Sequence, residues 1–288
     1  MALDVSYEIQ TGPVGPSVEE YRAAAAGRYR ELLETDIHER RLQEFLEENP
    51  CFLPNSRAPG SHGPMNLALV SQPELSGLRS RKPDFMWVTA HSAAWFPTLI
   101  EIERPSKRLF KRGAIPTQEF TQARNQLAQW RAWFSDSANV QRFIGEYGIP
   151  EMYTKYRKME PRFVLVYGRR AEFENDVELS RQRAALMPAG DEILASFDQL
   201  HPDMELREAV TVRATGYGRY RVIKVMPTLQ MGPMLADRLN RLEGFEEAVA
   251  GETRMSPERR AFLGSRIPYW RSWAKLEERG AIRSIDLE

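Results

Sequence analysis

The chain of 288 residues suits one large domain or two ordinary ones, and with 42% hydrophobic and 28% charged residues it is not disordered, collagen-like or a coiled-coil array. Forty Lys plus Arg balance forty Asp plus Glu, so no global basic field advertises nucleic acid and an anionic partner must be met by a local patch. The single cysteine, Cys51, excludes a disulfide framework and every multi-cysteine zinc ribbon.

The opening MALDVSYEIQTG has neither a basic start nor an apolar run, so it does not read as a secretory signal. Runs such as FVLVY fall far short of the roughly 20 apolar residues a membrane span needs. A cytoplasmic protein with no membrane partner is the expectation.

TGPVGPS reads as a loop, and the Ala-, Glu- and Arg-rich stretch from Val18 to about Glu34 as a helix, giving an N-terminal helical arm over 1–37. HERRLQEFLEENP puts Leu42, Phe45 and Leu46 on one stripe and stops before Pro50, a short amphipathic helix. Residues 54–66, rich in Pro, Gly, Ser and Asn, read as a loop suited to a flap. FMWVTA, WFPTLIEIE and RFVLVYG have strand length and composition. Between the second and third, Phe120, Ala123, Leu127, Trp130 and Phe134 recur at helical spacing. EILASFDQL supplies an edge strand and a helix start. From about residue 206, AVTVR and YRVIKV around TGYG read as a β-hairpin, and two helices follow, the second starting at Ser256 and Pro257. The class is α/β, with a small mixed β-sheet flanked by helices.

Chemistry concentrates in KPDFMWVTAHSAAWFPTLIEIERPSK. A hairpin there brings Asp84, at the start of one strand, to Glu101 and Glu103, at the end of the next. Alternation sends Glu101 and Glu103 to one face and Ile102 to the other. Two acidic side chains beside WFPTLI are costly to bury without a cation. A divalent ion such as Mg²⁺ meets that need and activates water at a phosphodiester. The alternative, surface salt bridges to Arg104, Lys107 and Arg108, stays open on spacing alone.

Pro83-Asp84 followed by Glu101-Ile102-Glu103 resembles the motif of the PD-(D/E)XK nuclease superfamily. HERRLQEFLEENP, KPDF, LIEIERPSKRLF, FTQARNQLAQW, VLVYGRR, LASFDQL and ERRAFLGSRIPYW, in that order from about residue 38 to the C-terminus, resemble the Shedu (SduA) antiphage nuclease family. The resemblance implies a restriction-endonuclease-like core over 38–205, with 206–288 a C-terminal hairpin and helical extension of the same domain. It also implies a metal-dependent DNA endonuclease of bacterial phage defence, using Mg²⁺ or Mn²⁺ and working as a homo-oligomer, a tetramer.

Carried over by position, Asp84 and Glu101 are metal ligands, with the backbone carbonyl of Ile102 completing the protein side. The motif lysine falls at Glu103, and some restriction endonucleases carry Glu there, where it binds metal or orients the attacking water. Lys107, on the loop after Pro105, is in reach of the scissile phosphate, or is a solvated lysine. Glu39 lies about 65° from the centre of its helix stripe, nearer than Glu44 and Glu47, and takes the acidic role of the superfamily's first helix; a charge on the helix dipole is the alternative. Gln126 and Trp130 resemble a Gln-x-x-x-Tyr element, with Gln126 a donor to a metal-bound water or phosphate and Trp130 on the core stripe.

From Glu101 to Arg131 seven basic residues face three acidic ones. Arg104, Lys107, Arg108, Lys111 and Arg112, beside the proposed site, are the candidate contacts to a DNA backbone. Lys155, Arg157, Lys158 and Arg162 form a second cluster. His38, His62, His91 and His201 share no metal-ligand spacing, and no nucleotide-binding loop accompanies them. Trp270 and Trp273 read as packing or, in the extension, as an oligomer surface. A DNA-binding or scaffold protein that keeps the fold without catalysis remains the competing reading.

Overall fold

The computed structural model describes residues 6–35, 38–55, 63–77, 82–187, 190–277, 280–283 and 286–288. Chain order is α1 (Val18–Glu34), α2 (Glu39–Glu48), β1 (Ala68–Ser71), β2 (Phe85–Ala90), β3 (Ala94–Ile102), a small ribbon of β4 (Phe110–Lys111) and β5 (Ile115–Pro116), then α3 (Gln118–Phe134), α4 (Ser137–Tyr147) and α5 (Glu151–Tyr156). There follow β6 (Lys158–Met159), β7 (Arg162–Val166), α6 (Val177–Leu186), β8 (Glu192–Ala195), β9 (Val210–Gly216), β10 (Arg219–Val225), α7 (Pro233–Leu239), β11 (Leu242–Glu243), α8 (Phe245–Ala250) and α9 (Pro257–Trp273). Of the expected loop over 54–66, residues 56–62, with His62, lie outside the described residues.

The sheet is mixed and has nine strands, larger than the small sheet expected, in the order β11-β10-β9-β1-β2-β3-β7-β8 with β6 also on β3. β2 and β3 form the antiparallel hairpin, and β3 runs parallel to β7. Both are apolar at nearly every position because helices cover both faces. Pro97, in the middle of β3, sits between its pairings with β6 and β7, where no ladder bond needs its missing N–H.

The C-terminal hairpin is not an appendage: β9 pairs parallel with β1 and carries the sheet onward. Among the described residues three helices, not two, follow it, since α7 and α8, of 7 and 6 residues, are too short for a period to declare itself in the sequence. α9 starts where expected, with the Ser256 hydroxyl accepting from the Arg259 N–H at 3.1 Å.

One sheet face is covered by α3, α4 and the C-terminal helices. Phe120, Leu127, Trp130 and Phe143 pack there against Met86, Leu99 and Val212. Trp270 and Trp273 lie in this core, so they are not an oligomer surface; the indole N–H of Trp270 donates to Glu288 at 2.9 Å. The other face is covered by α1 and α2. Tyr21, Ala25 and Tyr29 of α1 join Leu42, Phe45 and Leu46 of α2 over Phe85, Trp87 and Ile100. The segment expected as an arm is thus packed on the sheet, and the Tyr29 hydroxyl donates to the Phe197 carbonyl at 2.9 Å. No described helix is long and apolar enough to cross a membrane.

Candidate active site

The hairpin register fixes the site. Phe85 faces Ile100, so Asp84 and Glu101 are the next residues outward on neighbouring strands. Phe85 and Ile100 point to the α2 face, and alternation sends Asp84 and Glu101 to the α3 face, at the end of the sheet.

Asp84 Oδ2 accepts the Ile102 N–H at 2.8 Å, which pins the carboxylate against the end of β3. Glu101 Oε1 accepts from Nε2 of Gln126, on the buried face of α3, at 2.9 Å. The other oxygen, Glu101 Oε2, is buried and has no hydrogen-bond donor. Burial pushes the Asp84 carboxyl up to about 7 despite the Ile102 N–H, and the charges of Glu39 and Glu103 push the same way. Burial first, then Asp84 and Glu103, raises Glu101 well above the usual carboxylate range. Two adjacent acids are therefore kept from ionising together, the condition a cation would relieve.

Glu103 begins where β3 ends, its N–H donating to the Val166 carbonyl at 3.1 Å. Its Oε2 accepts from Lys107 Nζ, and the ion pair is largely shielded, with 12% and 24% of the two side chains exposed. The lysine on the loop thus reaches back to the residue that stands at the motif lysine position. Glu39, at the first turn of α2, interacts electrostatically with Asp84 and Glu101. Trp130 lies in the core. Among the described residues no three His, Cys, Asp or Glu side chains are grouped to hold a metal by themselves; the acids that meet are the pair Asp84 and Glu101.

A cleft of about 640 Å³ opens between α2 and the loop after β3, with Glu39, Glu47, Gln72, Arg104, Lys107 and Arg213 among its walls. Of the expected DNA contacts, Arg104 and Lys107 line it. Arg108 instead pairs with Glu172 at 3.6 Å, and Lys111 and Arg112 are exposed at the β4–β5 ribbon. In the second basic cluster, Lys158 and Arg162 both pair with Glu160. His38 caps α2, and His91 accepts backbone N–H groups in the β2–β3 turn.

Glu47 had been placed away from the site by its helix angle, yet it is buried. The Ser71 hydroxyl donates to its Oε1 at 2.6 Å, and Arg213 Nη2 lies 3.6 Å from it. Gln72 and Arg213 were missed because only the pairing of β1 with β9 brings them together.

Fold and site together define an α/β protein with a half-buried acidic pair at the end of a central strand, next to a polar cleft. A family model described as "Shedu protein SduA, C-terminal" matches residues 36–201, more than half of the chain, and the chain belongs to that family. A search among curated proteins found no match.

Proposed function

We propose that this protein is a metal-dependent DNA endonuclease that acts in bacterial antiphage defence, with a PD-(D/E)XK-type site at Asp84 and Glu101. The observation that carries the reading is the acidic pair itself: two neighbouring half-buried carboxyls, one with a buried oxygen, Glu101 Oε2, that no donor meets. The SduA family membership supports the defence role. The donor set fits a hard divalent cation, Mg²⁺ or Mn²⁺, held by Asp84 and Glu101 with Glu103 close by. When bound, such an ion supplies charge neutralisation at the phosphate and a more acidic water.

The residues of the chain have separable tasks. Gln126 fixes the orientation of Glu101 through Oε1, leaving Oε2 for the site. The Ile102 N–H does the same for Asp84. Glu103, braced by Lys107, is placed to orient the attacking water and accept its proton, while the Lys107 ammonium stands beside the charge that builds on the phosphate. Glu39 adds negative charge at the cleft side of the pair. Arg104 and Lys107 bind backbone phosphates in the cleft, which positions DNA without reading sequence. The protein is expected in the cytoplasm as a homo-oligomer, a tetramer.

Incubation of supercoiled plasmid with the protein and Mg²⁺, Mn²⁺ or a chelator tests the reading. Nicking or cleavage that needs the metal and vanishes in Asp84→Asn is the expected result. DNA that is bound but left intact in every metal would favour the scaffold alternative.

A further inference from the structure

Strand register places two arginines in a row that ends on β3 one residue short of the acidic pair, the arginines on the α2 face of the sheet and the Asp84 and Glu101 side chains on the other. Arg221 on β10 is directly opposite Arg213 on β9. Val212 faces Val70, which sets Arg213 beside Ser71. Ser71 faces Phe85, and Phe85 faces Ile100, one residue short of Asp84 and Glu101. One row across five strands therefore runs from Arg221 to the end of β3. At a strand spacing of about 4.8 Å, Arg213 stands about 14 Å and Arg221 about 19 Å from β3 along the rim of the sheet.

Both arginines point to the α2 face, since Val212, Tyr220 and Val222 are buried on the opposite one. Like charges directly opposite on antiparallel strands repel, and the arrangement is favoured when an anion lies over both. Arg221 is exposed and makes no ion pair among the described residues. Its neighbour on β11, Glu243, is engaged by Arg219 at 3.0 Å. Arg213 is braced from below: Nη1 donates to Gln72, and Nη2 lies against Glu47, itself bonded to Ser71. The buried carboxylate of Glu47 thus sets a guanidinium at the wall of the cleft that Arg104 and Lys107 also line.

We propose that Arg213 and Arg221 form a phosphate-binding ridge that carries the backbone of duplex DNA from the β9–β10 hairpin to the cleft lined by Glu39, Arg104 and Lys107 at the end of β3. The proposal rests on the nuclease reading and extends it to residues outside the family-matched segment 36–201. At 3.4 Å per base pair, the ridge spans roughly four to six base pairs on one side of the reacting phosphate.

The test is binding of the full-length protein to a 30-base-pair duplex across a salt series, with Ca²⁺ as the divalent ion and the DNA checked for integrity. Arg213→Gln/Arg221→Gln and the single variant Arg221→Gln are compared with wild type. Each phosphate contact contributes about 0.9 to the slope of log affinity against log salt. Between 50 and 200 mM salt, wild-type affinity is expected to fall about twelve-fold more than that of the double variant and about three- to four-fold more than that of the single. Arg221→Gln removes a cross-strand repulsion and leaves the bond between Arg213 and Glu47 intact, so its melting temperature should equal or exceed wild type. Tight wild-type binding with a slope that both variants leave unchanged overturns the ridge and leaves the nuclease reading standing. A wild-type protein that binds no duplex at any salt overturns both.

Discussion

Asp84→Asn is expected to stabilise the metal-free protein. In the fold the Asp84 carboxyl is raised from 3.8 to about 7, so between those values the folded chain binds more protons than the unfolded one and stability falls as pH rises. Three pKa units at 1.36 kcal/mol each set a ceiling of about 4 kcal/mol on the strain carried above neutral pH. Asparagine keeps the acceptor for the Ile102 N–H and removes the charge, which also lowers the repulsion on Glu101. A gain of about 1–3 kcal/mol at pH 8 in chelator follows, which for a chain of this size is a rise of roughly 3–10 °C in melting temperature. The gain should fade below about pH 4, where both carboxyls are protonated in either state. Saturating Mn²⁺ should reverse the order, since only wild type then keeps both carboxylates. Thermal melts from pH 4 to pH 9 read all of this. A variant less stable than wild type at pH 8 in chelator, or a difference that does not change with pH, would refute the reasoning.

Other substitutions separate the remaining roles. Gln126→Leu leaves Glu101 Oε1 without its donor, so a loss of about 1–3 kcal/mol is expected at pH 8 and little at pH 4, read by melts; an equal loss at both would contradict it. Lys107→Met should slow plasmid nicking by about 100-fold or more with the melting temperature little changed, because the ammonium acts on Glu103 and the phosphate rather than on the core. Trp270→Ala empties a fully buried site and takes the indole donor from Glu288, and urea titration should show a loss of about 3–5 kcal/mol. A surface role for Trp270 would leave stability nearly unchanged and alter the oligomer instead.

Asp84 and Glu101 were legible because a hairpin between two apolar runs has one simple closure, and closure puts its outer residues side by side. Gln126 was legible from the helical period, which sets it at the edge of the stripe that packs on the sheet. α4 went unread although Asp136 caps it and Gly148, in left-handed backbone at φ 55°, ends it; its caps were in the sequence and its apolar stripe is short. β1 has four residues, too few for a period to declare itself. Its partner β9 lies some 140 residues away, and nothing local specifies that pairing. Glu47 was misread for the same reason. A helix angle places it relative to its own stripe, whereas its burial comes from Ser71 and Thr211, 24 and 164 residues distant. Trp270 and Trp273 show that an aromatic-rich helix at the end of a chain does not by itself mark an interface.

The account stands on Asp84 and Glu101 holding a divalent cation, and calorimetric titration of Mn²⁺ into wild type and Glu101→Gln tests that most directly. One site per chain, weakened at least ten-fold in the variant and tightening as pH rises through 7, is the predicted result. Wild-type protein that takes up no Mn²⁺ at pH 8, or a variant that binds it equally well, would contradict the claim.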